Sequence, residues 1–148
     1  MQASTLFANQ FLENKEIAIV GVSRDKKKFG FKIFDLLRSN GYIVYPIHYK
    51  AKEIDGVQCY KSFLEVPESV KNLYVVTPKH ITDQVIESSL SKKFKMVWFQ
   101  QKSETNAALE TIIANGSTVI SNKCMFMFVE PKGGHAFHKK IFKFLGKI

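Results

Sequence analysis

The sequence predicts an α/β fold of three layers, a mainly parallel sheet between two layers of helices. Two observations predict it. Short β-branched apolar runs alternate along the chain with stretches of helical spacing. Helix-stop signals, Asn40-Gly41 and Asn115-Gly116, stand just before strand-like runs. This alternation implies strands covered on both faces and joined by right-handed crossovers.

The elements follow in order. Leu6, Phe7, Phe11 and Leu12 fit a short N-terminal helix. Residues 17–22, Ile-Ala-Ile-Val-Gly-Val, read as the first strand. Residues 31–38 place Phe31, Ile33, Phe34, Leu36 and Leu37 at helical spacing. Residues 43–47 form the second strand, and Pro46 suggests that the chain leaves the ladder there. Residues 57–60 suit a short strand, and Ser62 to Glu65 has capping-box spacing for a brief helix. Residues 73–77 make a strand that stops at Pro78. Thr82-Asp83 opens a helix carrying Val85, Ile86 and Leu90. After a strand at 95–99, Ser103-Glu104 opens a helix carrying Ala107, Ala108, Leu109, Ile112 and Ile113. Residues 118–121 are the last strand. Phe137, Ile141, Phe144 and Leu145 share one face of a C-terminal amphipathic helix that also bears Lys139, Lys140, Lys143 and Lys147.

Composition bounds the function. The 148 residues are 45% hydrophobic, too apolar for a disordered chain, and 8 Gly with 4 Pro exclude a collagen-like one. The length suits one domain over 1–148, with a core at about 15–124 and an extension at 125–148. There is no repeat of solenoid period and no linker. The 22 Lys and Arg against 13 Asp and Glu give a formal net charge of +9. That excess favours an anionic partner: a phosphorylated small molecule, nucleic acid or a membrane surface. Cys59 and Cys124 lie far apart with no CxxC, so a cytoplasmic, reducing setting is expected. The N-terminus lacks a basic n-region, and no apolar run is long enough to span a membrane.

Open α/β sheets bind ligands beyond the carboxyl ends of their strands. The first such loop, 21–30, begins at Gly21 and ends at Gly30, where a helix starts. Gly21 suits a tight turn, Gly30 a close backbone approach, Ser23 offers a hydroxyl, and Arg24 and Lys28 supply charge. Helix N–H groups beside such charge form an anion site. The loop does not match the G-x-G-x-x-G dinucleotide fingerprint, because Ser23 and Lys26 hold its later glycine positions. The second strand ends in His48, Tyr49, Lys50 and later Lys52, where an NAD site carries Asp or Glu. Cations there favour a ribose bearing an extra phosphate, which NADP and coenzyme A both have. Thr77-Pro78 can wall a flat pocket, and His80 and Ile81 open the next helix beside it.

Gly21-Val22-Ser23, Lys28-Phe29-Gly30, the stretch from Gly41 to Pro46, and Glu53-Ile54-Asp55-Gly56-Val57 together resemble the CoA-binding domain family. This Rossmann-like domain also occurs in the alpha subunit of succinyl-CoA synthetase and as free-standing proteins. The resemblance covers residues 17 to about 124. It implies coenzyme A or an acyl-CoA as ligand. The pyrophosphate would meet loop 21–30, with Gly21, Val22, Ser23, Arg24, Lys28, Phe29 and Gly30 around it. His48, Tyr49 and Lys50 would meet the adenosine end, and Thr77 and Pro78 would flank the adenine. The chain departs from the family at three places. Gln100-Gln101-Lys102-Ser103 lacks the usual Gly after Trp-x-Gln, Asn122-Lys123 replaces the acidic residue before Cys124, and His48-Tyr49 replaces Asn-Pro.

No catalytic set emerges, so a non-catalytic carrier, sensor or regulatory protein is expected. Cys124 with a nearby His would resemble a nucleophile and its base, or could form a mixed disulfide with CoA, but a buried inert thiol is the plainer expectation. His135, His138 and Cys124 fall short of a metal set. Two other function classes stay open: an NADP-type oxidoreductase, and a basic nucleic-acid-binding protein, for which only charge speaks. The C-terminal helix is expected to pack on the domain or on a partner subunit, as in a homo-oligomer.

Overall fold

The computed structural model of the chain describes residues 2–130. The C-terminal helix expected from Phe137 onward, and His135 and His138, lie outside the described residues. The order is α1 (Gln2–Glu13), β1 (Glu16–Val20), α2 (Phe29–Ser39), β2 (Ile43–Ile47), β3 (Glu53–Ile54), β4 (Val57–Gln58), β5 (Asn72–Val75), α3 (Lys79–Ser89), β6 (Met96–Gln100), α4 (Asn106–Ala114) and β7 (Thr118–Lys123). Short 3-10 turns lie at Phe63–Glu65 and Met125–Met127.

Five strands form a wholly parallel sheet in the order β2-β1-β5-β6-β7. Side chains alternate between its faces. Ile17, Ile19, Tyr74 and Trp98 pack with α1 and α2, while Ala18, Leu73, Val75, Val97 and Phe99 pack with α3 and α4. Every residue of β5 and β6 is buried, which explains why these strands read as continuous apolar runs. The expected three-layer α/β/α fold is the observed one.

Pro46 does not end β2, as its sequence position suggested. It pairs in register with Ile19, and Tyr60 N donates to its carbonyl at 2.8 Å. Its ring nitrogen therefore faces the outer side of an edge strand, where no neighbour in the sheet needs an N–H. A parallel bridge of Ile47 with Tyr60 marks the position where a third strand would stand.

The short strand expected at residues 57–60 is β4, which pairs antiparallel with β3 in a hairpin turning at Asp55 (φ 50°) and Gly56 (φ 82°). Two positive φ angles suit the right-handed strand twist, and Asp-Gly supplies them. Helix α3 begins at Lys79, not at Thr82, with Pro78 as its cap residue. Helix α4 begins after Thr105, whose Oγ1 accepts from Ala108 N at 2.9 Å, so Thr105 rather than Ser103 is the cap.

Candidate functional site

In sequence order the five sheet strands run 2-1-3-4-5, so the chain reverses its direction of travel between β1 and β5. At such a switch point the crossovers leave on opposite faces and open a crevice at the strand ends. A cleft of about 1400 Å³ lies there. Its walls come from loop 21–30, the β2 end, the turn at 61–64, the β5 end with α3, and residues 100–103 after β6.

The structure gathers Gly21, Val22, Ser23, Lys28, Phe29, Gly30, His48, Tyr49, Thr77 and Pro78 around this one cleft. Arg24, Lys50 and His80 are exposed and do not line it. Arg24 and Lys50 are nevertheless close enough to His48 to disfavour its charged form, so both stand at the rim. His80 sits on the first turn of α3 and leaves the wall to Ile81.

Loop 21–30 is built by backbone contact. A Cβ on Gly30 would lie 2.4 Å from Gly21 O, and one on Gly21 would lie 2.6 Å from the Val76 carbonyl carbon. Gly21 also sits at φ 110°, where a side chain is strained. The two glycines therefore press the start of α2 against the β1 end and β1 against the β5 end. Ser23 Oγ accepts from Asp25 N at 3.0 Å, and Asp25 Oδ1 accepts from Lys27 N at 2.9 Å. These bonds fold the loop and leave the Ser23 hydroxyl hydrogen free to donate elsewhere. Helix α2 has no side-chain cap, so its first N–H groups look for an outside acceptor.

Not every cation of this loop serves the cleft. Lys26 pairs with Asp55 at 3.2 Å, and Arg38 pairs with the same carboxylate at 2.9 Å. Arg38 first, then Lys26, holds the Asp55 carboxyl below its ordinary range. The Glu53–Val57 stretch that carried the resemblance thus clamps a hairpin to α2.

At the β2 end, His48 Nδ1 accepts from Lys50 N at 3.1 Å and from Ala51 N at 3.0 Å. Nδ1 is therefore the acceptor, and the neutral ring carries its hydrogen on Nε2. Partial burial, then Arg24 and Lys50, pushes the His48 pKa down. The ring stacks on Tyr49, with centroids 5.9 Å apart and planes 13° apart, and Tyr49 is 74% exposed. An exposed aromatic face beside two rim cations suits a nucleoside bearing phosphate.

At the β5 end, Thr77 Oγ1 and Thr82 Oγ1 are 2.7 Å apart, and Thr82 Oγ1 donates to Ser103 O at 2.7 Å. Thr82 has one hydroxyl hydrogen, so when Ser103 O receives it, Thr77 must donate to Thr82. That order leaves the Thr77 oxygen as an acceptor. The relay ties β5, α3 and the loop after β6 together.

Several lining residues were not expected. Lys61, Ser62, Phe63 and Leu64 form one wall, and Gln100, Gln101, Lys102 and Ser103 another. Their strand-to-turn transitions give no ligand signature; only the strand order brings them to the cleft. Lys102 takes φ 77° and so fills the left-handed position that Gly would favour there. Cys124 is fully buried and does not line the cleft, and burial pushes its thiol pKa up. It is a poor nucleophile, and the idea of a mixed disulfide with a cleft ligand finds no geometry here. Among the described residues no group of His, Cys, Asp and Glu could hold a metal ion, and no helix is long and apolar enough to cross a membrane.

Comparison with known proteins adds a second line. The alpha subunit of ADP-forming acetate–CoA ligase II of Pyrococcus furiosus is 36% identical over 77 residues, which are 51% of this chain and 17% of that subunit. The chain spans less than a fifth of the length of the curated relatives it matches. A conserved hypothetical protein from Pyrococcus furiosus has a similar structure, with TM-score 0.71 and 30% identity over 76% of this chain and 97% of that one. The dinucleotide-forming acetyl-coenzyme A synthetase 1 of Ca. Korarchaeum cryptofilum, in its apo form, superimposes with TM-score 0.64 and 26% identity over 74% of this chain and 26% of that one. The CoA binding domain family matches residues 15–130, from the start of β1 to the last described residue. This match spans the sheet, α2 to α4 and every wall of the cleft, and the chain belongs to the CoA-binding domain family.

Proposed function

We propose that this chain holds coenzyme A or an acyl-CoA in the cleft at the strand ends, as a non-catalytic carrier, sensor or regulatory module. The observation that carries the reading is the meeting, at one switch point, of an uncapped helix start and an aromatic, cationic strand end. The pyrophosphate takes the first N–H groups of α2, the Ser23 hydroxyl and the Lys28 ammonium. The adenosine lies against Tyr49 and His48, with Thr77 and Pro78 beside the adenine. Arg24 and Lys50 on the rim meet the 3′-phosphate. A non-catalytic role fits the chemistry of the cleft. Among the described residues its one lining histidine has Nδ1 committed to two backbone N–H groups, and both cysteines are buried with raised pKa values.

The test is a thermal-shift and calorimetric titration with coenzyme A, dephospho-CoA, NADP and a DNA oligomer. Coenzyme A at 100 times its Kd should add about 2.7 kcal/mol of stability. Dephospho-CoA should bind more weakly, and Lys50→Ala should bring coenzyme A down toward its level. A shift with NADP and none with coenzyme A sinks the reading and favours an oxidoreductase. Release of free thiol from acetyl-CoA on incubation with the protein would sink the non-catalytic part.

A further inference from the structure

Gln100 ends β6 at the cleft wall and is 5% exposed. Its carboxamide can face only one way. Tyr74 O–H donates to its Oε1, and Met125 N donates to the same oxygen at 3.4 Å. A backbone N–H can only donate, so the atom it meets is the oxygen. The other amide atom, Nε2, therefore carries two N–H groups. The Cys124 thiol lies beside this amide, and its sulfur could accept from at most one of them. A second N–H therefore remains for an acceptor on a residue that lines the ligand cleft. Such a donor is costly to leave without an acceptor.

Position in the sheet narrows the acceptor. The proposed adenosine site spans the β2 and β5 ends, and the pyrophosphate site lies at β1 and α2. The order β2-β1-β5-β6 puts Gln100 two strands beyond β1, about 10 Å across the sheet. A neutral amide donor there suits a neutral carbonyl, whereas the phosphates are placed at loop 21–30 and the β2 end.

We propose that Gln100 is a ligand-contacting residue whose Nε2 donates a hydrogen bond to a carbonyl oxygen on the pantetheine or acyl arm of the bound cofactor. Tyr74 and Met125 act as positioning groups that hold the amide in this orientation. The inference rests on the reading that coenzyme A occupies the cleft.

Calorimetric titration of the full chain with acetyl-CoA, coenzyme A and 3′,5′-ADP tests it, on the wild type, Gln100→Glu and Gln100→Met. Glu keeps an acceptor for Tyr74 and Met125 but removes the donor, and Met removes the donor without adding charge. Both variants should bind acetyl-CoA about tenfold more weakly. Their affinity for 3′,5′-ADP, which has no arm, should stay within about twofold of wild type. Equal weakening of coenzyme A and acetyl-CoA assigns the acceptor to a pantetheine amide, and weakening of acetyl-CoA alone assigns it to the thioester. Unchanged binding of all three ligands by Gln100→Met, or an equal loss for all three in both variants, overturns the proposal. A wild type that binds none of the three overturns instead the reading that coenzyme A occupies the cleft.

Discussion

Gly21 and Gly30 occupy positions where one methyl group has nowhere to go. The nearest atoms to an added Cβ at either site are backbone, which cannot swing aside. Gly30→Ala should therefore cost about 1–3 kcal/mol in urea unfolding and loosen the start of α2 from the β1 end. Lys102 gives the opposite case. Its φ of 77° is strained for a side chain, so Lys102→Gly should hold or raise the melting temperature, whereas a glycine inside a helix would lower it. His48 makes a pH prediction. Its folded pKa lies below the ordinary 6.5, through burial first and then Arg24 and Lys50. Between those two values the unfolded chain takes up a proton that the folded chain refuses. Stability attached to His48 is thus present above pH 6.5 and is lost as pH falls through the folded pKa. His48→Asn keeps an acceptor for Lys50 N and Ala51 N and removes the titration. Urea unfolding from about pH 7.5 to pH 5 should show a shallower loss in the variant than in the wild type.

Elements are joined here by a few polar ties. Thr82 is fully buried and takes part in the Thr77–Ser103 relay that locks α3 and the loop after β6 to β5. Thr82→Val keeps the shape but strands the Thr77 donor and the Ser103 carbonyl. It should cost about 1–3 kcal/mol, read by urea unfolding, and weaken ligand binding because two cleft walls share this tie. Its neighbour Thr105 caps α4, while Thr82 caps nothing; both are Thr followed by a helical pattern. Sequence spacing placed the α3 start at Thr82 because Ser and Thr favour caps. Burial turned this Thr into a link between elements. The hairpin β3–β4 was half legible: its Asp55-Gly56 turn is a strong local signal, yet the two short strands give little apolar alternation. Its carboxylate clamp on Lys26 and Arg38 is exposed, so it orders the surface more than it stabilises it.

For the whole molecule, the strand order decides where chemistry is possible. The switch between β1 and β5 opens the cleft, and the parallel bridge of Ile47 with Tyr60 extends the outer edge of β2. The +9 formal charge divides once the fold is known. Lys28, Lys61 and Lys102 line the cleft, and Arg24 and Lys50 stand at its rim, whereas Lys26 is taken by Asp55. A ligand held by these charges should be sensitive to salt. The thermal shift given by a fixed concentration of coenzyme A should shrink between about 0.05 M and 0.5 M NaCl, as screening shortens from over 10 Å to a few ångströms.

The sequence by itself determined the layered α/β fold, the strand positions within one or two residues, and ten of the residues that now line the cleft. These are local facts. Apolar period, helix-stop pairs and glycine spacing depend on near neighbours in the chain. Tertiary structure alone decided which cations face the cleft, that Pro46 stays within an edge strand, and that the turn at 61–64 and residues 100–103 supply the far walls. It also fixed the amide of Gln100, through a tyrosine 26 residues before it and a backbone N–H 25 residues after it. Such roles arise from contacts between distant segments, and contacts of that kind leave no period in the sequence to read.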